Sequence, residues 1–116
     1  MVKADAYGHG LSEIVDFCLD ELDIREFGVA TLGEALTLRR NFPHGKFEVF
    51  VFSDLQMNHR ELKEQYLENR IIPVIGHLED LEEILSDSHF AHVPLCLKFN
   101  TGMNRLGLPF EEVEKV

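Results

Sequence analysis

The stretch Phe27-Gly-Val-Ala-Thr-Leu-Gly-Glu-Ala-Leu-Thr-Leu-Arg39 contains one complete alternation of the pattern that runs through the chain. Its first five residues form a short apolar run, suited to a strand buried on both faces. From Leu32 to Phe42 the apolar residues return at helical spacing, with Gly33 tolerable near the helix start. Working outward, Phe47–Phe52, Ile71–Ile75 and Val93–Phe99 are further short runs rich in Val, Ile or Phe and flanked by turn residues. Ser12–Leu22 places Ile14, Val15, Cys18, Leu19 and Leu22 on one helical face, with Ser12 as the expected N-cap. Met57–Leu67 and Leu78–Leu85 behave in the same way.

Strand–helix alternation with such short connections predicts βαβ units and a parallel sheet. With Met1-Val-Lys3 as the end of a strand, the pattern gives five strands, four intervening helices and a fifth helix starting at Phe110. A doubly wound sheet and a (β/α)₈ barrel both fit, and pattern alone does not separate them.

The bulk numbers narrow the function classes. The 116 residues are one modest domain in length, enough to bury roughly two thirds of the unfolded surface. A net charge of -10 and a pI near 4.9 argue against nucleic acid or an anionic membrane as partner. Mean hydropathy is -0.09, and no apolar run approaches the roughly 20 residues that span a bilayer. Cys18 and Cys96 lie far apart in apolar stretches, which reads as reduced, buried thiols of a cytoplasmic protein.

Two segments carry candidate chemistry. Lys3 closes the first apolar run and precedes Ala-Asp-Ala-Tyr-Gly-His-Gly10. A lysine at the C-terminal end of a barrel strand sits where such enzymes keep catalytic groups, and a desolvated amine there can form a Schiff base. Gly8 and Gly10 permit a sharp turn into the first helix, whose N-terminus favours an anion, and Tyr7 is placed to hydrogen-bond a phosphate. A solvated lysine beside a loop is the competing reading. The second segment is Leu97-Lys-Phe-Asn-Thr-Gly-Met-Asn-Arg-Leu-Gly107. If Val93, Leu95, Leu97 and Phe99 face one way, Lys98 faces the other, where a buried cation needs a partner or a modification. Arg105 offers a planar fork for oxyanions, or else pairs with a surface acid.

Together these segments resemble the alanine racemases, a fold-type III group of pyridoxal 5'-phosphate enzymes. Val2-Lys-Ala-Asp-Ala-Tyr-Gly-His-Gly10 is similar to their cofactor-lysine motif, Phe27–Arg39 to their second strand and helix, and Lys98–Gly107 to their arginine-bearing loop. The matches stand in family order and span the chain. The resemblance implies an α/β fold, a partial (β/α)₈ TIM-type barrel of about five βα units. It further implies that residues 1–116 are the N-terminal portion of the cofactor-binding barrel domain, without the C-terminal β domain.

By resemblance Lys3 is catalytic, carrying the cofactor and acting as the base on one face of the substrate Cα. Tyr7 contacts the cofactor phosphate, and Arg105 binds near both the cofactor's phenolic oxygen and the substrate carboxylate. Lys98 matches a lysine that many family members carbamylate, making an anion that orients Arg105. Met1 lies beside the cofactor ring. Position 100 is Asn, where relatives often have Asp, which puts the local network around Arg105 in question.

The implied function is racemisation of L- and D-alanine, supplying D-alanine for peptidoglycan, in a homodimer where a tyrosine from the other domain serves the opposite face. A racemase for serine or other small amino acids, a non-catalytic cofactor-binding barrel and an inert fragment are the alternatives. The chain alone is expected to be inactive and to self-associate through its unpaired sheet edges. No metal site is expected. His89-Phe-Ala-His92 lacks further ligands, and Glu79, Asp80, Glu82, Glu83 and Asp87 read as a solvated helix face.

Overall fold

The computed structural model describes residues 1–54 and 60–115. A single helical turn, α1 (Lys3–Tyr7), leads into α2 (Leu11–Glu21), and strand and helix then alternate. The elements that follow are β1 (Glu26–Thr31), α3 (Leu32–Asn41), β2 (Glu48–Asp54), α4 (Arg60–Glu68), β3 (Ile71–Ile75), α5 (Leu78–Ser86) and β4 (Cys96–Leu97), with 3₁₀ turns at Ser88–Phe90 and Phe110–Lys115.

Among the described residues all strand pairings are parallel and the strand order is β1-β2-β3-β4. That order decides between the two architectures that alternation leaves open. A doubly wound sheet reverses direction at a switch point, whereas a barrel wall adds each strand beside the previous one. The sheet never reverses, so it is a section of barrel wall.

One apolar cluster joins Phe27 and Val29 of β1, Val49 and Val51 of β2, and Ile71 and Ile75 of β3 to the helices, through residues such as Val15, Leu38, Tyr66 and Ile84. The period-two alternation of a strand puts Gly28, Ala30, Phe50 and Phe52 on the other face, where they are only half-buried. On that face a Cβ at Gly28 would lie 2.6 Å from Met1 Sδ and 2.8 Å from the Phe52 ring. Only glycine lets Met1 cross β1 so closely. At the N-terminal end of the sheet, Arg39 donates to the Asn69 and Arg70 carbonyls and stacks its guanidinium 4.9 Å from the Phe47 ring centroid.

The apolar pattern overcounts strands. Met1–Lys3 does not form one: Val2 N–H donates to Gly28 O at 2.8 Å, and the backbone then turns into α1. Val93–Phe99 contracts to a two-residue strand, extended by Lys98 N–H to Ile75 O and by a bridge between Phe99 and Leu108. The helix expected from Phe110 is a 3₁₀ turn. α2 starts at Leu11, so Ser12 lies inside it instead of capping it. Of the helix expected over Met57–Leu67, residues 57–59 lie outside the described residues.

Candidate active site at the C-terminal ends of the strands

Lys3 stands at the C-terminal edge of the sheet, beside the end of β1, and the turn that follows it has unusual backbone geometry. Ala4, Asp5, Ala6 and Tyr7 all have φ between +50° and +57°, so α1 is a left-handed turn built from non-glycine residues. Left-handed backbone costs roughly 1–2 kcal/mol per L-residue, because Cβ crowds the following carbonyl. Such strain persists only where the surroundings over-determine it, and it concentrates at functional sites.

Here the surroundings are two carboxylates. Asp5 Oδ1 accepts the Leu11 N–H at 2.8 Å, and Asp5 O accepts the Gly10 N–H at 3.0 Å. The anion that the sequence anticipates at the N-terminus of the first helix is therefore met in part from within the loop. Glu34 Oε1 accepts the Ala4 N–H at 2.8 Å from thirty residues away. Its other oxygen, Oε2, accepts the Ala30 N–H at 2.7 Å and the Thr31 N–H at 3.2 Å. Burial alone would raise the Glu34 carboxyl, but the three backbone donors, with help from the Lys3 charge, hold it below its ordinary value.

Local sequence explains the Glu34 side of this arrangement. Thr31 caps α3, its hydroxyl accepting the Glu34 N–H at 3.2 Å, and Glu34 completes a capping box. The Thr-x-x-Glu signature is legible in the sequence as a helix start, but sequence reasoning misses Glu34 as a site residue. Nothing in the sequence signals its reach to Ala4.

Of the expected site residues, Lys3 and Tyr7 are brought together, with Lys3 Nζ 5.8 Å from the Tyr7 ring centroid. Lys3 is half-buried, whereas Tyr7 is 59% exposed. Lys98 and Arg105 lie at the opposite edge of the sheet, beyond β4. Three inter-strand spacings, roughly 14 Å measured along the sheet, lie between β1 and β4.

Leu97 packs against the core, so Lys98 falls on the opposite face of β4, as the alternation predicts. Arg105 is exposed, and neither Lys98 nor Arg105 has a side-chain hydrogen bond or ion pair among the described residues. Their loop is closed by Leu108 N–H to Lys98 O and Asn100 N–H to Leu108 O, at 2.8 and 2.9 Å. Asn100 organises its interior: Oδ1 accepts from Gly102 N and Asn104 N, while Nδ2 donates to Asn104 Oδ1 at 2.8 Å. An Asp at position 100 would keep the two backbone acceptances and would accept a hydrogen bond from Asn104 Nδ2 after an amide flip. The departure from Asp is therefore compatible with the same loop.

His89 makes a local contact, its Nδ1 lying 2.9 Å from Asp87 Oδ1. Part of the acidic face of α5 is paired, since Lys63 of α4 reaches Glu83 at 2.9 Å and Asp87 at 3.4 Å.

The family model described as "Alanine racemase, N-terminal domain" matches residues 1–116. This chain belongs to that family. It is 34% identical over 113 residues to the biosynthetic alanine racemase of Agrobacterium fabrum, covering 97% of this chain and 27% of the relative. To the alanine racemase of Brucella ovis it is 35% identical over 118 aligned positions, covering 100% of this chain and 28% of the relative.

Among solved structures, the biosynthetic alanine racemase of Pseudomonas aeruginosa superposes with a TM-score of 0.80 at 29% identity, covering 98% of this chain and 30% of that one. The alanine racemase of Acinetobacter baumannii gives 0.77 at 28% identity, over 99% and 33% of the two chains. The chain thus spans roughly 27–33% of the length of the alanine racemases it matches. Among the described residues no helix is long and apolar enough to cross a membrane.

Proposed function

We propose that this chain is the cofactor-lysine portion of an alanine racemase, its 116 residues being the N-terminal part of a pyridoxal 5'-phosphate-binding barrel domain. The observation that carries the reading is Lys3 at the C-terminal edge of a parallel barrel wall, followed by a strained turn held by Asp5 and Glu34. Family membership supports the substrate class. The donor set fits the cofactor: an amine for its aldehyde carbon, a phenol four residues away for its phosphate, and a guanidinium for its anionic groups.

When bound, the cofactor would supply an electron sink that acidifies the Cα–H of the substrate. Lys3 Nζ takes that proton, or returns it, on one face of Cα. Tyr7 hydrogen-bonds the phosphate through its hydroxyl. Arg105 holds the substrate carboxylate and neutralises charge near the cofactor's phenolic oxygen. Lys98, carbamylated, turns from a like charge into an acceptor for Arg105, which removes their repulsion and fixes the fork. The opposite face needs a second acid–base group, supplied in a homodimer that works in the cytoplasm to provide D-alanine for peptidoglycan.

Borohydride reduction of the protein with pyridoxal phosphate, followed by peptide mapping, tests the assignment. The pyridoxyl group is expected on Lys3. Its appearance on Lys46, Lys63, Lys98 or Lys115 instead overturns it.

A further inference from the structure

Lys3 is bracketed by two hydrogen bonds that its flanking backbone amides donate to the neighbouring βα unit. The residue before it, Val2, donates to Gly28 O of β1 at 2.8 Å, and the residue after it, Ala4, donates to Glu34 Oε1 of α3 at 2.8 Å. The first is an ordinary strand-edge contact. The second is not, because the ordinary capping box asks the N3 glutamate only to reach back to the N-cap amide. Glu34 meets that requirement, and that of Ala30, with Oε2 alone. Its remaining oxygen is directed across thirty residues to the one peptide plane that sets how Lys3 leaves the sheet.

That peptide is also where φ turns positive, at +50° for Ala4. Without an acceptor at this point the Ala4 N–H would lie outside any ladder at the start of a strained turn, and the chain would relax toward right-handed geometry. Relaxation there swings the Cα–Cβ bond of Lys3.

We infer that Glu34 is a positioning residue for Lys3, its carboxylate locking the Lys3–Ala4 peptide so that the lysine amine is presented in one direction at the C-terminal edge of the sheet. Glu34 touches neither cofactor nor substrate in this role. It acts through the backbone and through its charge near Lys3, and the inference rests on the proposed function of Lys3.

The test compares Glu34→Gln, Glu34→Asp and Thr31→Ala in the full-length protein with added pyridoxal phosphate. Glu34→Gln keeps the shape but places an N–H₂ group against one of the backbone donors. Glu34→Asp keeps the charge but is one methylene short of Ala4. Thr31→Ala removes the capping hydroxyl and leaves the Glu34–Ala4 bond in place.

Two readings are taken: the rate at which borohydride traps the pyridoxyl group on Lys3, and kcat and KM for alanine. Glu34→Gln is expected to slow trapping and lower kcat by about ten- to a hundred-fold with little change in KM, as for a misaligned reacting group. Glu34→Asp falls between it and wild type, and Thr31→Ala traps at the wild-type rate. If Glu34→Gln does not fold, Glu34→Asp alone decides: wild-type trapping and kcat there overturn the inference. Equal slowing in Thr31→Ala and the Glu34 variants also overturns it, since a weakened helix start would then explain both. If wild type itself carries no label on Lys3, the functional reading falls first, which is a distinct result.

Discussion

The two loops at the C-terminal edge of the sheet differ in whether anything outside them holds them. The Lys3–Gly10 loop is strained and, beyond its own backbone hydrogen bonds, is tied to its surroundings by Glu34 of the next βα unit and by the start of α2. The Asn100–Gly107 loop is held by its own atoms, with Asn100 and Asn104 bonding each other and Leu108 closing the base. The first loop fixes one direction for its lysine and carries the strain of four left-handed residues to do so. The second presents Arg105 to solvent without fixing its direction. Positional precision is therefore built in at Lys3 and left open at Arg105, whose orientation the proposed function assigns to carbamylated Lys98.

The contrast can be broken most severely at Gly107. Its φ is +137°, and an added Cβ would fall 2.6 Å from Asn100 N and 2.8 Å from the Phe99 carbonyl carbon. Both neighbours are backbone and cannot swing aside. Gly107→Ala should destabilise the protein by about 2–4 kcal/mol in urea unfolding, through combined clash and left-handed strain. A loss under about 1 kcal/mol would mean that the second loop is not held by its base.

A smaller effect tests the first loop. Asp5→Ala removes the acceptor for the Leu11 N–H and puts alanine in a left-handed position that Asp tolerates better, so a loss of about 1–2 kcal/mol is expected. Asp5→Asn keeps an acceptor oxygen and tolerates the same backbone, so it should recover most of that loss. If it unfolds as readily as Asp5→Ala, the bond to Leu11 is not what holds the loop.

The smallest effect belongs to Arg105→Ala. An exposed side chain without a partner among the described residues should change stability by less than about 0.5 kcal/mol, while the proposed carboxylate binding predicts a raised KM for alanine. A large loss of stability would show that the second loop leans on its arginine after all.

Sequence alone determined the βα alternation, because strand and helix periodicities are local properties of apolar spacing. It placed Ile71–Ile75 as observed and β1 within one residue. It also marked Lys3, Tyr7, Lys98 and Arg105 for attention through short contiguous motifs. The chain's first apolar run misled, because Met1–Lys3 has strand composition but, among the described residues, only one sheet hydrogen bond before the backbone turns left-handed. Val93–Phe99 misled in the same direction: its alternation is that of a strand, yet ladder bonding is confined to a few residues against β3. Only the tertiary structure decided that the parallel sheet runs in unbroken order, since strand adjacency depends on where each crossover packs and not on the residues within it. Only it revealed Glu34 at Ala4 as well: a hydrogen bond between residues thirty apart leaves no periodic trace, and becomes visible once β1 has carried α3 alongside the lysine loop.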